Sequence, residues 1–350
     1  MSRDACAVAL ILACAGGAPA RAQDVLRVGT AAAARGAFAS GWVDVAPAAD
    51  PGTRLPVTVV HGARPGPVLA LVAGTHGYEY TSVLALPRVR ARLDAARMSG
   101  SVILVHMANP PSFYGRRVYL GPDGRNLNRV FPGRKDGTIS ERIAEAITRE
   151  VITPATHVVD MHCGDGNESL RPYAYATVTG DEAMDRQIHE MALAFGLDHI
   201  VAERSRPVDP GASLYLESTA VLRGKPALTT ESGGLGRTDE ESVAAHEAGA
   251  LSLIAHLGIQ DLPSVRVAKP VWIDRTEIVR AKTTGVWFPA VEKTQVVAAG
   301  ALLGRVKDPF GEPLEEVRAP FAGEVLYVVA TPPVTAGEPL AFVGQARAAN

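Results

Sequence analysis

Short apolar runs alternate with longer amphipathic segments through the first two thirds of the chain. The apolar runs have the length of β-strands and are rich in β-branched residues. They predict strands at 42–46, 55–61, 68–73, 101–107, 156–161 and 227–230. Helices are predicted at 140–152, 181–195 and 239–257, each opened by a polar or acidic residue. Strands that alternate with helices predict a mostly parallel sheet covered by helices on both faces.

The pattern changes after Gly258. Residues 265–345 are rich in Val, Gly and Pro and contain short alternating runs, with little of helical length. A Val-Arg-Ala motif followed by a glycine occurs twice, at 279–285 and at 317–323. Two half-motifs about 38 positions apart predict a pseudo-symmetric, barrel-sandwich-like all-β domain. We therefore place an α/β domain at 23–262 and a C-terminal β domain at 263–350.

The composition narrows the class of protein. The chain has 350 residues, of which 47% are hydrophobic and 21% charged, which is enough for a large core and two domains. Its 35 basic and 37 acidic residues nearly balance and form no basic run. Because nucleic acids and anionic membranes are bound through clustered positive charge, we expect neither as a partner.

The N-terminus has the pattern of a secretory signal peptide. Arg3 precedes an apolar, alanine-rich stretch at 5–15, and Ala20-Arg21-Ala22 matches a small-residue cleavage site. We expect residues 1–22 to be removed and the protein to be periplasmic or secreted. A lipoprotein signal ending at Cys14 and a short buried helix are the alternatives. The apolar run is too short to span a bilayer.

A histidine and a glutamate directly follow the strand at 68–73. Because three residues make about one helical turn, the side chains of His76 and Glu79 can face one point. His162, at the end of another strand, adds a third candidate ligand, and two histidines with a carboxylate are a ligand set of catalytic zinc sites. Asp160 and His162 project to the same side of their strand, so Asp160 can orient the imidazole. Each signal alone also fits a solvated helix start or an ordinary hydrogen bond; their combination favours a metal site.

A dense polar cluster occupies residues 123–133. Asn128 and Arg129 can clamp a substrate carboxylate, which the planar fork of arginine suits well. A surface loop with solvated arginines is the alternative interpretation. Upstream, Arg116 or the adjacent Arg117 can place a guanidinium near the metal and stabilise a developing oxyanion.

A second glutamate ends the buried strand at 227–230. Glu231 is followed by a serine and two glycines, and it is well placed as a general base for water. The alternative is an acidic side chain at a helix start that faces solvent.

Together these segments resemble the succinylglutamate desuccinylase/aspartoacylase family of carboxypeptidase-like zinc hydrolases. The segments that carry the resemblance are 74–79, 109–110, 123–133, 160–162 and 230–234. It implies a zinc-carboxypeptidase-like three-layer α/β/α fold with a mostly parallel mixed sheet. It also implies one zinc ion per chain. The zinc ligands it implies are His76, Glu79 and His162. The base it implies is Glu231. It also implies that Asn128 and Arg129 bind the substrate carboxylate and that Arg116 polarises the carbonyl.

The sequence therefore predicts an exported zinc amidohydrolase that removes the acyl group from an N-acyl amino acid or a related small amide carrying a carboxylate. Glu231 handles the protons of the reaction, and Arg116 stabilises the oxyanion. The alternative among enzymes is a zinc carboxypeptidase acting on short peptides, which uses the same metal and the same Arg129. The alternative of another class is a non-catalytic zinc- or ligand-binding protein, which the presence of Glu231 disfavours. An oligomer is compatible with the sequence.

Overall fold

The structure is a computed structural model that describes residues 24–119 and 122–348. The expected signal peptide at 1–22 lies outside the described residues. The strands are β1 (Val25–Val28), β2 (Ala31–Ala34), β3 (Ala37–Val45), β4 (Thr53–His61), β5 (Arg64–Ala73), β6 (Ser99–Val105), β7 (His157–His162), β8 (Glu168–Leu170), β9 (Tyr173–Thr177), β10 (His199–Glu203), β11 (Ala227–Glu231), β12 (Val271–Arg280), β13 (Gly285–Pro289), β14 (Val296–Val297), β15 (Leu302–Lys307), β16 (Pro313–Arg318), β17 (Gly323–Val329), β18 (Pro333–Val334) and β19 (Pro339–Ala346). The helices are α1 (Tyr80–Ala91), α2 (Pro110–Gly115), α3 (Ile139–Ile147), α4 (Glu182–Phe195), α5 (Leu216–Val221) and α6 (Glu240–His256), with a 3-10 turn at Leu127–Arg129 and a π-helical turn at Thr148–Ile152.

One mixed sheet extends through the molecule in the order β14-β17-β19-β12-β10-β9-β11-β7-β5-β6-β4-β3, with β8 beside β17. Its centre, β6-β5-β7-β11, is parallel. Strands β9, β10 and β12 are parallel to one another and antiparallel to β11. The carboxyl ends of β5, β7 and β11 therefore meet at one edge of the sheet, where ligands collect in α/β proteins.

Helices cover both faces of this sheet. Helices α1 and α4 both pack against α6, and α3 and α5 pack against the π-helical turn. The central strands are near-continuous apolar runs because they are buried on both faces. The expected α/β/α architecture is confirmed. None of the described helices is long and apolar enough to cross a membrane.

The predicted strands and helices are present, with ends that differ by a few residues. The helix predicted at 140–152 is α3 followed by the π-helical turn, and it begins at Ile139. Helix α1 and the short strands β9 and β10 were not predicted from the pattern.

The C-terminal β region is a sandwich, as expected from its repeat. The strands β12-β19-β17-β14 face the second sheet, β16-β15-β13-β18, across a core that contains Trp287. The two half-motifs make matching hydrogen bonds. Gly300 N donates to Ala319 O at 2.8 Å, and Gly337 N donates to Ala281 O at 2.8 Å. The repeat seen in the sequence is thus a structural repeat.

Strand β12 belongs to both halves of the molecule. Its first residues, 271–273, pair in parallel with β10 of the α/β half. From residue 273 onwards it pairs antiparallel with β19 of the C-terminal region. A buried aromatic cluster that includes Tyr173, Tyr327 and Phe342 lies beside this junction.

Candidate active site

The loop after β5 is shaped by two glycines. Gly74 has a φ of +71°, and a Cβ on it would lie 2.8 Å from Val83 Cγ2. A Cβ on Gly77 would lie 2.2 Å from the backbone oxygens of Ser112 and Arg117. Only glycine allows this backbone geometry and this close approach. The loop therefore turns sharply and delivers the next residues to the start of α1.

Three side chains converge at the ends of β5 and β7. His76 Nδ1 and His162 Nδ1 each lie 2.7 Å from the same oxygen, Glu79 Oε1. The three ligand atoms lie within 4.8 Å of one another. Glu79 and His162 are almost completely buried. Two imidazole nitrogens and a carboxylate oxygen directed at one point are the donor set that zinc prefers.

The outward-facing nitrogen of each imidazole has its own partner. His162 Nε2 lies 2.8 Å from Asp160 Oδ2, as the alternation of β7 predicted. His76 Nε2 lies 3.0 Å from Asn126 Oδ1, a contact that the sequence did not predict. When the outer nitrogen donates to such an acceptor, the inner nitrogen is left as the metal-binding lone pair. The residues present therefore fit a bound zinc ion.

The charges of the three groups stabilise one another in the absence of a metal. Burial disfavours the charged form of Glu79, but the two neighbouring histidines outweigh this and lower its pKa to about 2. Burial also disfavours protonated His76, but the charge of Glu79 prevails and raises its pKa to about 9. For His162, burial is outweighed by Asp160 and Glu79, which raise its pKa well above the ordinary value. The three groups therefore compensate one another's charge where their ligand atoms meet.

Glu231 lies beside these residues at the end of β11. It is the register partner of His162 on the neighbouring strand. Its Oε2 is buried and has no hydrogen-bond partner among the described residues. Burial raises the pKa of Glu231 well above its ordinary value. A carboxylate with an unengaged oxygen and a raised pKa has the properties of a general base.

Asn128 and Arg129 lie in the 3-10 turn at Leu127–Arg129, at the wall of the same cavity. The amide of Asn128 is already engaged, because its Nδ2 donates to Asp160 Oδ2 at 3.0 Å and its Oδ1 accepts from Leu216 N at 2.8 Å. The guanidinium of Arg129 stands over the ring of Tyr215, 4.4 Å from the centroid. Of the two residues expected to clamp a carboxylate, Arg129 has more of its polar group available to a ligand. The side-chain amide of Asn128 is instead engaged by groups next to His162.

The upstream arginines are placed differently. Arg116 ends α2 in the left-handed conformation, with a φ of +50°. Both Arg116 and Arg117 are exposed, and neither lines the cavity beside His76 and His162. The backbone oxygen of Arg117 accepts a hydrogen bond from Gly77 N, so this segment adjoins the loop that carries His76. The structure does not bring either guanidinium to the three candidate ligands.

A cavity of about 450 Å³, the candidate cavity, opens onto these groups. Its walls come from the α/β half and from the C-terminal region together. The lining side chains that the sequence did not predict include Tyr175, Glu203, Ser205, Arg206 and Tyr215. Strands β12 and β19 add Thr276, Ile278 and Phe342. A larger cavity of about 580 Å³ lies at the opposite edge of the sheet, beside Arg64 and Gln260. None of the candidate metal-binding or catalytic residues lines it.

Comparison with known proteins gives a consistent result. The family model described as the succinylglutamate desuccinylase/aspartoacylase catalytic domain matches residues 65–257. That range contains every candidate ligand and the candidate base.

Similar whole proteins extend the match. The chain is 32% identical over 261 residues to an N-alpha-acetyl-L-2,4-diaminobutyric acid deacetylase from Halomonas elongata, which covers 73% of this chain and 74% of that protein. A succinylglutamate desuccinylase/aspartoacylase structure from Rhodobacter sphaeroides has a TM-score of 0.79 at 27% identity, covering 89% of this chain and 96% of that one. The product-bound ectoine utilization protein EutE (DoeB) from Ruegeria pomeroyi has a TM-score of 0.78 at 29% identity, covering 88% and 95%.

Proposed function

Because this chain belongs to the succinylglutamate desuccinylase/aspartoacylase family, a family of amide-cleaving deacylases, we propose that it is an exported, zinc-dependent amidohydrolase. Its proposed substrate is an N-acyl amino acid, or a related small amide, that carries a carboxylate. The similar deacetylase from Halomonas elongata, which acts on an N-acetylated amino acid, supports the reaction type.

One observation carries the proposal. The Nδ1 atoms of His76 and His162 both lie 2.7 Å from Glu79 Oε1, and the unengaged carboxylate of Glu231 lies on the adjacent strand. A three-ligand metal site next to a separate carboxylate is the arrangement that hydrolysis of an amide requires. A protein that only bound zinc or a ligand would have no need of this buried base.

Each residue of the site has a separate role in the proposed amide hydrolysis. A zinc ion bound by His76, Glu79 and His162 would polarise the scissile carbonyl and acidify the attacking water. Glu231 takes a proton from that water on its free Oε2 and returns it to the leaving nitrogen. Burial raises the pKa of Glu231 above its ordinary value, which makes its carboxylate a stronger proton acceptor than an exposed glutamate. Arg129, at the cavity wall, holds the carboxylate of the substrate.

The shape of the candidate cavity favours a small amide over a peptide. Its volume is about 450 Å³, and side chains of β12 and β19 wall one side. A carboxypeptidase for short peptides would use the same metal and the same arginine. The size of the cavity is therefore what distinguishes the two functions.

The decisive experiment is a substrate panel on the purified protein with its metal content measured. N-acetyl and N-succinyl amino acids should be hydrolysed with kcat/KM at least tenfold above that for blocked di- and tripeptides. About one zinc per chain should copurify, and removal of the metal with a chelator should abolish turnover. Preferential release of C-terminal residues from peptides would establish the carboxypeptidase instead, and turnover that survives chelation would refute the zinc requirement.

Export is a separate part of the proposal. It rests on the Ala20-Arg21-Ala22 pattern, which predicts a mature N-terminus at Gln23. Mass spectrometry of the periplasmic or secreted protein tests this directly. An intact Met1 or a lipid on Cys14 would contradict it.

A further inference from the structure

Ser232, the residue after Glu231, is a completely buried point at which several elements meet. Its backbone N donates to His162 O at 3.2 Å, which connects it to the end of β7. Its backbone O accepts from Thr81 Oγ1 at 2.7 Å and from His246 Nε2 at 3.2 Å, which connects it to α1 and to α6. The turn after the candidate base is therefore bonded to segments that carry candidate metal ligands.

The next residue, Gly233, lets α1 approach this turn closely. It has a φ of +94°, and a Cβ on it would lie 2.8 Å from Thr81 Cγ2. Because glycine accepts this conformation and this contact, the hydroxyl of Thr81 can reach the carbonyl oxygen of Ser232. Thr81 lies two residues after Glu79, and Ser82 Oγ donates to Glu79 O at 3.1 Å. The hydrogen bond thus links the start of α1, beside a candidate ligand, to the turn that follows the base.

His246 contributes a single hydrogen bond from a fully buried position in α6. A nitrogen that lies 3.2 Å from a carbonyl oxygen must carry a hydrogen, so Nε2 is the donor. The other nitrogen, Nδ1, is buried and has no hydrogen-bond partner among the described residues. A buried polar atom without a partner costs free energy that an apolar side chain would avoid. Packing alone therefore does not account for a histidine here, whereas the bond to Ser232 O does.

The carboxylate of Glu231 depends on the backbone for its position. Its Oε2 has no hydrogen-bond partner among the described residues. On the N-terminal side, β11 fixes the backbone by pairing with β7 and β9. On the C-terminal side, Thr81 and His246 hold the backbone at Ser232 O. A shift of this turn would therefore move the carboxylate with no bond to Oε2 to resist it.

We propose that Thr81 and His246 are positioning residues that, by binding Ser232 O together, hold the carboxylate of Glu231 toward the three candidate ligands. The inference rests on the proposed function, because it assigns two further residues to the same reaction. Neither residue lines the candidate cavity, so neither is expected to touch the substrate. Loss of one of these hydrogen bonds should therefore lower kcat while substrate binding and metal content stay unchanged.

The first test uses Thr81→Val, which keeps the size of the side chain and removes its hydroxyl. Because Ser232 O retains its bond from His246, this variant should fold. It should lower kcat for an N-acetyl amino acid about 10- to 100-fold, the scale of a misplaced catalytic group. KM should stay within about twofold, because uniform binding is unaltered, and zinc should be retained.

Two matched variants accompany it. Thr81→Ser keeps the hydroxyl and should restore kcat to within about threefold of the wild-type value. Thr230→Val is the same substitution at a completely buried site directly before Glu231, where the hydroxyl has no partner among the described residues. It should leave kcat unchanged.

The second test uses His246→Leu, which removes the other hydrogen bond. It also removes the buried Nδ1 that lacks a partner, so the melting temperature should stay within about 4 °C of wild type. The kcat should nevertheless fall about tenfold or more, again at unchanged KM and zinc content. A merely structural histidine would give a lower melting temperature with the kcat of the folded protein unchanged. Loss of zinc in either variant would show that these contacts hold the ligands and would overturn the proposal.

Crystal structures separate this inference from the proposed function. In zinc-loaded Thr81→Val, the carboxylate of Glu231 should be displaced relative to His162 by about 1 Å or more, and in Thr81→Ser and Thr230→Val it should not. If the wild-type protein hydrolyses no amide but this displacement is seen, only the proposed function fails. If amides are hydrolysed and the carboxylate stays in place, or if Thr81→Val and His246→Leu keep kcat within about threefold of wild type, the positioning role is refuted.

Discussion

Glu79 and Glu231 are two buried carboxylates near one cavity, and their neighbours give them opposite properties. Glu79 lies between two histidines, which lower its pKa to about 2 and keep it ionised. Glu231 has an oxygen without a partner, and burial raises its pKa. A permanently charged oxygen suits a metal ligand, whereas a carboxylate whose pKa is raised by burial is a stronger proton acceptor and suits proton transfer.

We predict that variants of the two glutamates separate metal binding from catalysis. Glu79→Ala removes a ligand and should lose zinc and activity together. Glu231→Gln keeps the shape of the side chain but not its basicity, so it should retain about one zinc per chain while kcat falls roughly 10²- to 10⁴-fold. Metal analysis beside kcat checks both. Loss of zinc in Glu231→Gln, or nearly full kcat, would show that another group is the base.

Metal binding should release protons. In the metal-free protein the charge of Glu79 raises the pKa of His76 to about 9, and Asp160 and Glu79 raise the pKa of His162 well above its ordinary value. Zinc requires the neutral imidazoles, so protons should leave when the ion binds. The number should fall as the pH rises past about 9, where His76 is already neutral. Calorimetry in buffers of different ionisation enthalpy measures it, and a heat independent of the buffer would contradict the charge assignment.

The sequence could predict the residues whose spacing carries the chemistry but not those brought in by tertiary folding. His76, Glu79 and His162 follow predicted strands, so their convergence follows from the parallel sheet. Asn126 could have been predicted as a site residue, since it lies two residues before Asn128 in the same polar cluster. Arg206 gave no signal, because it lies in a loop after a strand that the pattern did not reveal.

Helix starts are the local features that the sequence predicted best. Asp239 precedes α6, and its side chain accepts a hydrogen bond from Ser242 N at 3.0 Å. The same hydrogen bond lowers the pKa of Asp239, so its stabilising effect should be present above pH 3.8 and lost as the pH falls further.

We predict that removing this cap has a modest and specific cost. Asp239→Ala should lower the free energy of unfolding by about 1 kcal/mol at pH 7, as for other N-cap losses. Asp239→Asn keeps an acceptor and should cost much less. Urea unfolding of both variants measures the difference; an equal loss in the two would assign the effect to the charge rather than to the hydrogen bond.

Elements without a strong periodic pattern were missed for physical reasons. Helix α1 contains Pro87, and its buried face includes the polar Thr81 and Ser82 whereas Leu84 is exposed, so it lacks the apolar stripe of an amphipathic helix. Strands β9 and β10 have five residues each, too few for alternation to stand out. Their direction, antiparallel to β11, is set by tertiary pairing and has no counterpart in the sequence pattern.

At the scale of the whole molecule, the C-terminal region should set the size of the substrate. Ile278 of β12 lines the candidate cavity beside Phe342, its register partner on β19, and is 39% exposed, so its truncation should cost little stability. Ile278→Ala should raise kcat/KM for a butyryl relative to an acetyl amino acid about tenfold, the scale of a changed hydrophobic contact. Val296→Ala, at a 77% exposed site in the same region, is the control. An unchanged ratio would place the acyl group away from β12.

The pairing of β12 with both β10 and β19 also determines how the protein unfolds. Loss of the C-terminal strands would strip β10 of its neighbour and uncover the aromatic cluster around Phe342, and loss of the α/β half would leave β12 with an open edge. Separating the two halves would therefore break strand pairing of β12 and expose apolar side chains, at a large cost in free energy. The chain should therefore melt in one cooperative transition, and local opening near β12 should distort the candidate cavity before the three candidate ligands themselves are disturbed.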